Sequence, residues 1–108
     1  MTKEQLKLLA KMKKLIYKGK RKFAERKDRN YLDELLKIGI SEDDAWNIIL
    51  SLSERNYCHD YKPFYYKTDN ALIFKKIING QLVYIKLKIE QYNDSEMTVC
   101  ISFHIDHN

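Results

Sequence analysis

Lysines at 75, 86 and 88, a tyrosine at 84, a serine at 102 and a histidine at 104 are the residues of this chain best suited to handling a phosphodiester. RNA carries its own nucleophile. Its cleavage needs a base to take the 2′-hydroxyl proton, cations to neutralise the crowded phosphorane, and an acid to protonate the leaving 5′-oxygen. Imidazole serves as acid or base near neutral pH, a phenol beside ammonium groups donates or relays a proton, and lysines hold the phosphate. None of these steps calls for a metal or another cofactor.

Whether those residues meet depends on the strands that carry them. Leu72 to Ile78, then Asn79-Gly80, then Gln81 to Glu90 reads as a β-hairpin, because Asn-Gly supplies the positive φ angles of a two-residue type I′ turn. Counting outward from the turn sets Ile78 against Gln81, Lys75 against Tyr84 and Ile73 against Lys86, and directly opposed residues share a face. One side then holds Leu72, Phe74, Val83, Ile85, Leu87 and Ile89, with Lys76 near the strand end. The other holds Lys75, Tyr84, Lys86 and Lys88. A third strand over Met97 to Ile105 alternates as clearly, with Met97, Val99, Ile101, Phe103 and Ile105 on one side. Thr98, Cys100, Ser102, His104 and Asp106 fall on the other. If this strand pairs with the second and buries its apolar set, Ser102 and His104 join the lysines and Tyr84. The competing reading leaves Tyr84, Lys86 and Lys88 as ordinary solvent-facing strand residues and His104 as a partly exposed terminal histidine.

The first half of the chain has helical period. Leu6, Leu9, Met12, Leu15 and Ile16 recur three or four apart between Lys3 and Lys18, with lysines on the opposite side, and Gly19 is a natural stop. A basic connector follows from Lys20 to Arg29. Tyr31 to Ile38 predicts a second helix with Leu32, Leu35 and Leu36 on one face, closing at Gly39. Ser41 before Glu42, Asp43 and Asp44 predicts an N-cap and an acidic first turn, after which Ala45, Ile48, Ile49 and Leu52 form a buried stripe and Trp46 joins the core. Helices first and strands afterward predict one α+β domain, an antiparallel sheet with N-terminal helices packed on one face.

The chain has 108 residues and a formal charge of +5, distributed unevenly. Residues 1–29 carry 12 basic and 3 acidic groups, a density suited to a polyanion such as RNA, DNA or an acidic protein, or to a solvated helix face. No apolar run is long enough to span a bilayer, and the lysine-rich start lacks the apolar stretch of a secretory signal, so a cytoplasmic protein is expected. Cys58 and Cys100 are too few for a disulfide framework and read as reduced thiols. Cys58 with His59, His104 and His107 matches no zinc spacing. Tyr57 to Lys67 interleaves aromatics with cations, including His59 and Lys62, and suits either base stacking with phosphate binding or an edge strand packed under the helices.

Four stretches carry a family resemblance: GISEDDAWNIILSLSERNYCHD at Gly39 to Asp60, IFKKI at Ile73 to Ile77, GQLVYIKL at Gly80 to Leu87, and CISFHI at Cys100 to Ile105. In their order and spacing they resemble the MqsR family of type II toxin–antitoxin toxins, over most of the chain from about Asn30 onward. The resemblance implies a RelE-like fold and a metal-independent endoribonuclease that cuts messenger RNA, on or off the ribosome, and is silenced by a cognate antitoxin. It marks Tyr84 in VYIK, a lysine of IFKKI for which parity favours Lys75, and the position of His104 in CISFH. The family often has lysine where His59 stands, and some members have lysine in place of His104. The expected site is therefore His104 as acid or base, Tyr84 as proton relay or phosphate donor, and Lys75 and Lys86 as phosphorane-stabilising cations. His59, Lys62, Lys88 and Ser102 are expected to contact RNA. The alternative is a noncatalytic nucleic-acid-binding or inhibitory module in which the basic helix and aromatic segment bind and nothing is cut.

Overall fold

A computed structural model of the chain describes residues 1–25, 30–58 and 71–106. The element order is α1 (Lys3–Tyr17), β1 (Arg21–Phe23), α2 (Tyr31–Ile38), α3 (Glu42–Leu50), a 3₁₀ turn (Glu54–Asn56), β2 (Leu72–Ile78), β3 (Gln81–Tyr92) and β4 (Ser95–Ile105). The helices begin and end for local reasons. Thr2 and Ser41 close capping boxes with Gln5 and Asp44, and Asn30 accepts from the Leu32 amide. Gly39 ends α2 with φ 89°, a conformation that side chains with a Cβ resist.

The described strands form one sheet in the order β1-β4-β3-β2. The hairpin has the register that its turn dictates: Ile78 opposes Gln81, Lys75 opposes Tyr84 and Ile73 opposes Lys86, with Asn79 and Gly80 both at positive φ. β3 and β4 are also antiparallel, joined at Asn93-Asp94. The sheet is nevertheless mixed. Arg21–Phe23, expected as a connector, forms an edge strand parallel to β4, with Phe23 beside Cys100. Its ring explains the position, stacking on Tyr31 at 4.4 Å and leaning on Trp46 at 4.7 Å.

Among the described residues, the main core lies between the helices and one sheet face. Leu9, Met12 and Ile16 of α1, Leu35 and Ile38 of α2, and Ala45, Trp46 and Ile49 of α3 meet Leu72, Phe74, Val83, Ile85, Leu87 and Phe103. The face expected for α2 is rotated. Leu35 and Ile38 are buried, whereas Leu32 and Leu36 point outward at 50% and 78% exposure. The cause is Phe23, which takes Tyr31 as its stacking partner and so turns the 31/35/38 side of the helix inward. Polar bonds also tie the layers together: among them, the Thr98 hydroxyl donates to the Met12 carbonyl at 2.9 Å, and the Asn79 amide of the hairpin turn donates to the Ile38 carbonyl at 3.0 Å. No helix among the described residues is long and apolar enough to cross a membrane.

Strict alternation along β4 breaks at Ile101. The β3 register runs Lys86 to Ser102 and then Leu87 to Cys100, so Ile101 is the extra residue of a bulge. Towards the C-terminus the expected faces hold, with Phe103 inward and His104 outward. On the N-terminal side they are exchanged. Cys100 and Thr98 turn into the core, fully or nearly fully buried, and Val99 lies opposite Lys88 on the outer face. A one-residue insertion inverts every side chain beyond it, and here it brings the Thr98 hydroxyl to the α1 carbonyl.

Candidate active site

The outer sheet face is the one turned away from the helices. Tyr84, at the middle of a cross-strand row, has Lys75 on one side and His104 on the other. The Tyr84 and His104 rings are stacked, with centroids 5.1 Å apart and planes 20° from parallel. His104 Nδ1 lies 2.9 Å from the Ile105 carbonyl oxygen. A carbonyl only accepts, so this contact is a hydrogen bond when Nδ1 carries the proton, which leaves Nε2 of the neutral ring as an acceptor for a substrate proton.

Lys75 is held by a residue to which sequence reading gave no role. Its Nζ is 2.8 Å from Asp106 Oδ2, and Asp106 is only 7% exposed at the side chain while Lys75 is 36% exposed. The carboxylate beside it raises the Lys75 pKa above the ordinary lysine value, through the Asp106 hydrogen bond first and against the opposing effect of burial. The ammonium is therefore both fully charged and fixed. The signal for Asp106 was present, since β4 alternation places it on the face of His104. Its pairing across two strands was not legible in the order of residues.

The remaining expected site residues divide by position. Lys86 shares the next row with Ile73 and Ser102, about 7 Å along β3 from Tyr84. Ser102 is only 9% exposed and Ile73 only 1%, so this row is partly closed. Lys88 lies about 14 Å from Tyr84 along the strand, beside Val99 and, beyond it, Lys22 of β1. Lys22 in turn sits over the Tyr92 ring at 4.6 Å, a cation–π contact that sequence reading missed because β1 was not recognised as a strand. On the other side of the Tyr84 row, Ile77 and Leu82 face each other and are exposed at 63% and 37%, forming an apolar shoulder at the mouth of the site. Lys76, the second lysine of IFKKI, points to the helix side and donates to Ser51 Oγ, so parity separates the two lysines correctly.

His59 and Lys62 lie outside the described residues, as does most of the aromatic segment. Of its described part, Tyr57 forms an antiparallel bridge with Phe74, packs edge-on against that ring at 5.8 Å and accepts a hydrogen bond from Gln5 at 2.8 Å. Cys58 donates its amide to the Ile73 carbonyl. Both cysteines are free thiols, and burial pushes the Cys100 thiol far above its usual value, which makes it inert.

No protein-family model and no curated protein matches this chain. The case for a function therefore rests on the site itself. An imidazole with an open acceptor nitrogen, a phenol stacked on it and a carboxylate-held ammonium lie in one row. That set can accept a proton, deliver one, and carry the charge of a phosphorane between them.

Proposed function

We propose that the chain is a metal-independent endoribonuclease of the toxin type, similar to MqsR toxins and RelE-like in its architecture. The observation that carries this reading is the Tyr84–His104 stack with Lys75 beside it, locked to Asp106. His104 Nε2 takes the 2′-hydroxyl proton, and the freed oxygen attacks the adjacent phosphorus. Lys75 and Lys86 hold the non-bridging oxygens as charge accumulates, and the Tyr84 hydroxyl protonates the leaving 5′-oxygen. The bond from phosphorus to that oxygen breaks, giving a 2′,3′-cyclic phosphate and a 5′-hydroxyl end. Lys88 and Lys22, farther along the outer face, continue the phosphate path away from the scissile bond. A cytoplasmic location and a cognate antitoxin that covers the Tyr84 row belong to the same proposal.

The test is incubation of purified protein with mixed-sequence RNA in EDTA. Discrete products ending in 2′,3′-cyclic phosphate, lost in His104→Ala, support the enzyme. Intact RNA that is retarded in a salt-sensitive manner supports the noncatalytic binding module instead.

A further inference from the structure

The lysines of α1 form a pattern that the site does not use. Lys3, Lys7, Lys11, Lys14 and Lys18 are all exposed, and at about 100° per residue they fall within an arc of about 80°. The buried residues Leu9, Met12 and Ile16 lie about 170° from the centre of that arc. The stripe therefore points straight away from the core. Successive ammoniums stand about 5 to 6 Å apart along an axis of about 22 Å, a spacing comparable to that of adjacent phosphates along a nucleic-acid strand. Lys13 is outside the stripe and is spent on the Leu52 carbonyl.

Two further features narrow the partner. Tyr17 is 82% exposed and flanks the stripe between Lys14 and Lys18, offering a free aromatic face where a base can stack. Beyond the helix end Lys18 and Lys20 line a groove of about 510 Å³ with Lys11 and Lys14, bounded on the sheet side by Asp94 and Glu96. Glu96 pairs with Lys11 at 2.9 Å, both half-exposed. These acids repel a polyanion from the sheet side and confine it to the helix. A protein partner would want an apolar centre with few lysines, and a membrane would want the apolar face that α1 has already buried.

We infer that the lysine face of α1, with Tyr17, is a second RNA-binding surface that grips the phosphate backbone of single-stranded RNA independently of the cleavage site. The two surfaces are on opposite sides of the sheet, because α1 packs on the core face while Tyr84, His104 and Lys75 lie on the other. The helix contributes affinity and takes no part in bond breaking. This rests on the ribonuclease reading only in naming RNA as the polyanion.

The experiment measures binding of a fluorescent, mixed-sequence 2′-O-methyl RNA, which lacks the nucleophile, between about 50 and 200 mM salt. Replacing the five lysines by glutamine is expected to reduce the slope of log K against log salt by about 3.5, at about 0.7 per lost phosphate contact. Replacing them by arginine is expected to preserve the slope, and Tyr17→Ala to weaken binding about tenfold without changing it. Lys7→Gln alone, which does not endanger the helix, is expected to lower the slope by about 0.7. An unchanged slope in both glutamine variants overturns the inference, as does capture of polyglutamate in preference to RNA. Cleavage measured in parallel separates the two readings. If His104→Ala abolishes cleavage and the stripe variants bind normally, only the second surface fails. If the slope falls but no variant or wild-type protein ever cuts RNA, only the enzyme fails.

Discussion

The chain presents positive charge on two surfaces, in opposite physical states. On the outer sheet face Lys75 is fixed at 2.8 Å from a nearly buried carboxylate and is flanked by a stacked phenol and imidazole. On α1 five lysines stand one per turn, exposed, with Lys11 making a half-exposed pair to Glu96. A cation that must stabilise a transition state has to be in place before charge develops, because reorganisation at that moment raises the barrier. A cation that only attracts a polymer gains by staying solvated and adaptable, and its contribution is screened by salt. The difference teaches where to look for chemistry: at the cation held by a nearly buried partner beside other proton-transfer groups.

The comparison breaks most sharply at His104. His104→Ala is expected to lower the rate of RNA cleavage by about 10² to 10⁴-fold while leaving thermal unfolding nearly unchanged, since the residue is only partly buried and lies outside the core. An active variant would remove the imidazole from the mechanism. Tyr84→Phe keeps the stack and deletes only the hydroxyl. A fall in cleavage of about tenfold to a hundredfold with unaltered RNA affinity would assign the hydroxyl to proton delivery, and no change would reduce Tyr84 to a platform for His104.

Asp106→Asn sharpens the comparison further, because it turns a held lysine into one resembling those of α1. Cleavage is expected to fall about tenfold, and the alkaline limb of the pH–rate profile to move to lower pH as the Lys75 pKa returns toward its ordinary value. The salt slope of RNA binding should be unaffected. On the opposite face, Thr98→Val removes the bond to the Met12 carbonyl and is expected to cost about 1 kcal/mol of stability with normal cleavage per folded molecule, measured by denaturant titration beside an activity assay. The smallest effect concerns pH and folding. Because Asp106 raises the folded pKa of Lys75, the contribution of the charged lysine, while Asp106 is ionised, is complete below the unfolded lysine value of about 10.4 and is lost as pH rises through the higher folded value. On the alkaline side, wild type and Lys75→Met should therefore converge in stability once Lys75 loses its proton.

Much of the geometry of the candidate site was legible from order alone, because its governing signals are short. Asn79-Gly80 sets the turn, the turn sets the pairing of Lys75 with Tyr84, and alternation separates Lys75 from Lys76. The helix limits at Gly39 and Ser41 follow from backbone conformations and cap bonds within three residues. His104 reached the correct face by the same counting, over a stretch that contains no irregularity.

What escaped depends on contacts between residues far apart in the chain. The bulge at Ile101 has no turn residue to announce it; it exists because the core takes Cys100 and Thr98 where unbroken alternation would have taken Val99 and Ile101. β1 is three residues of basic sequence made into a strand by Phe23 finding Tyr31 and Trp46, and with it came Lys22 and its contact to Tyr92. The same stacking turned Leu32 and Leu36 outward. Sequence by itself thus determined the periodic elements, their caps and the hairpin register, all set by interactions a few residues long. Only the tertiary structure decided which faces close, where the ladder slips and that Asp106 meets Lys75, because those outcomes are chosen by packing and charge pairing across strands that local preference cannot see.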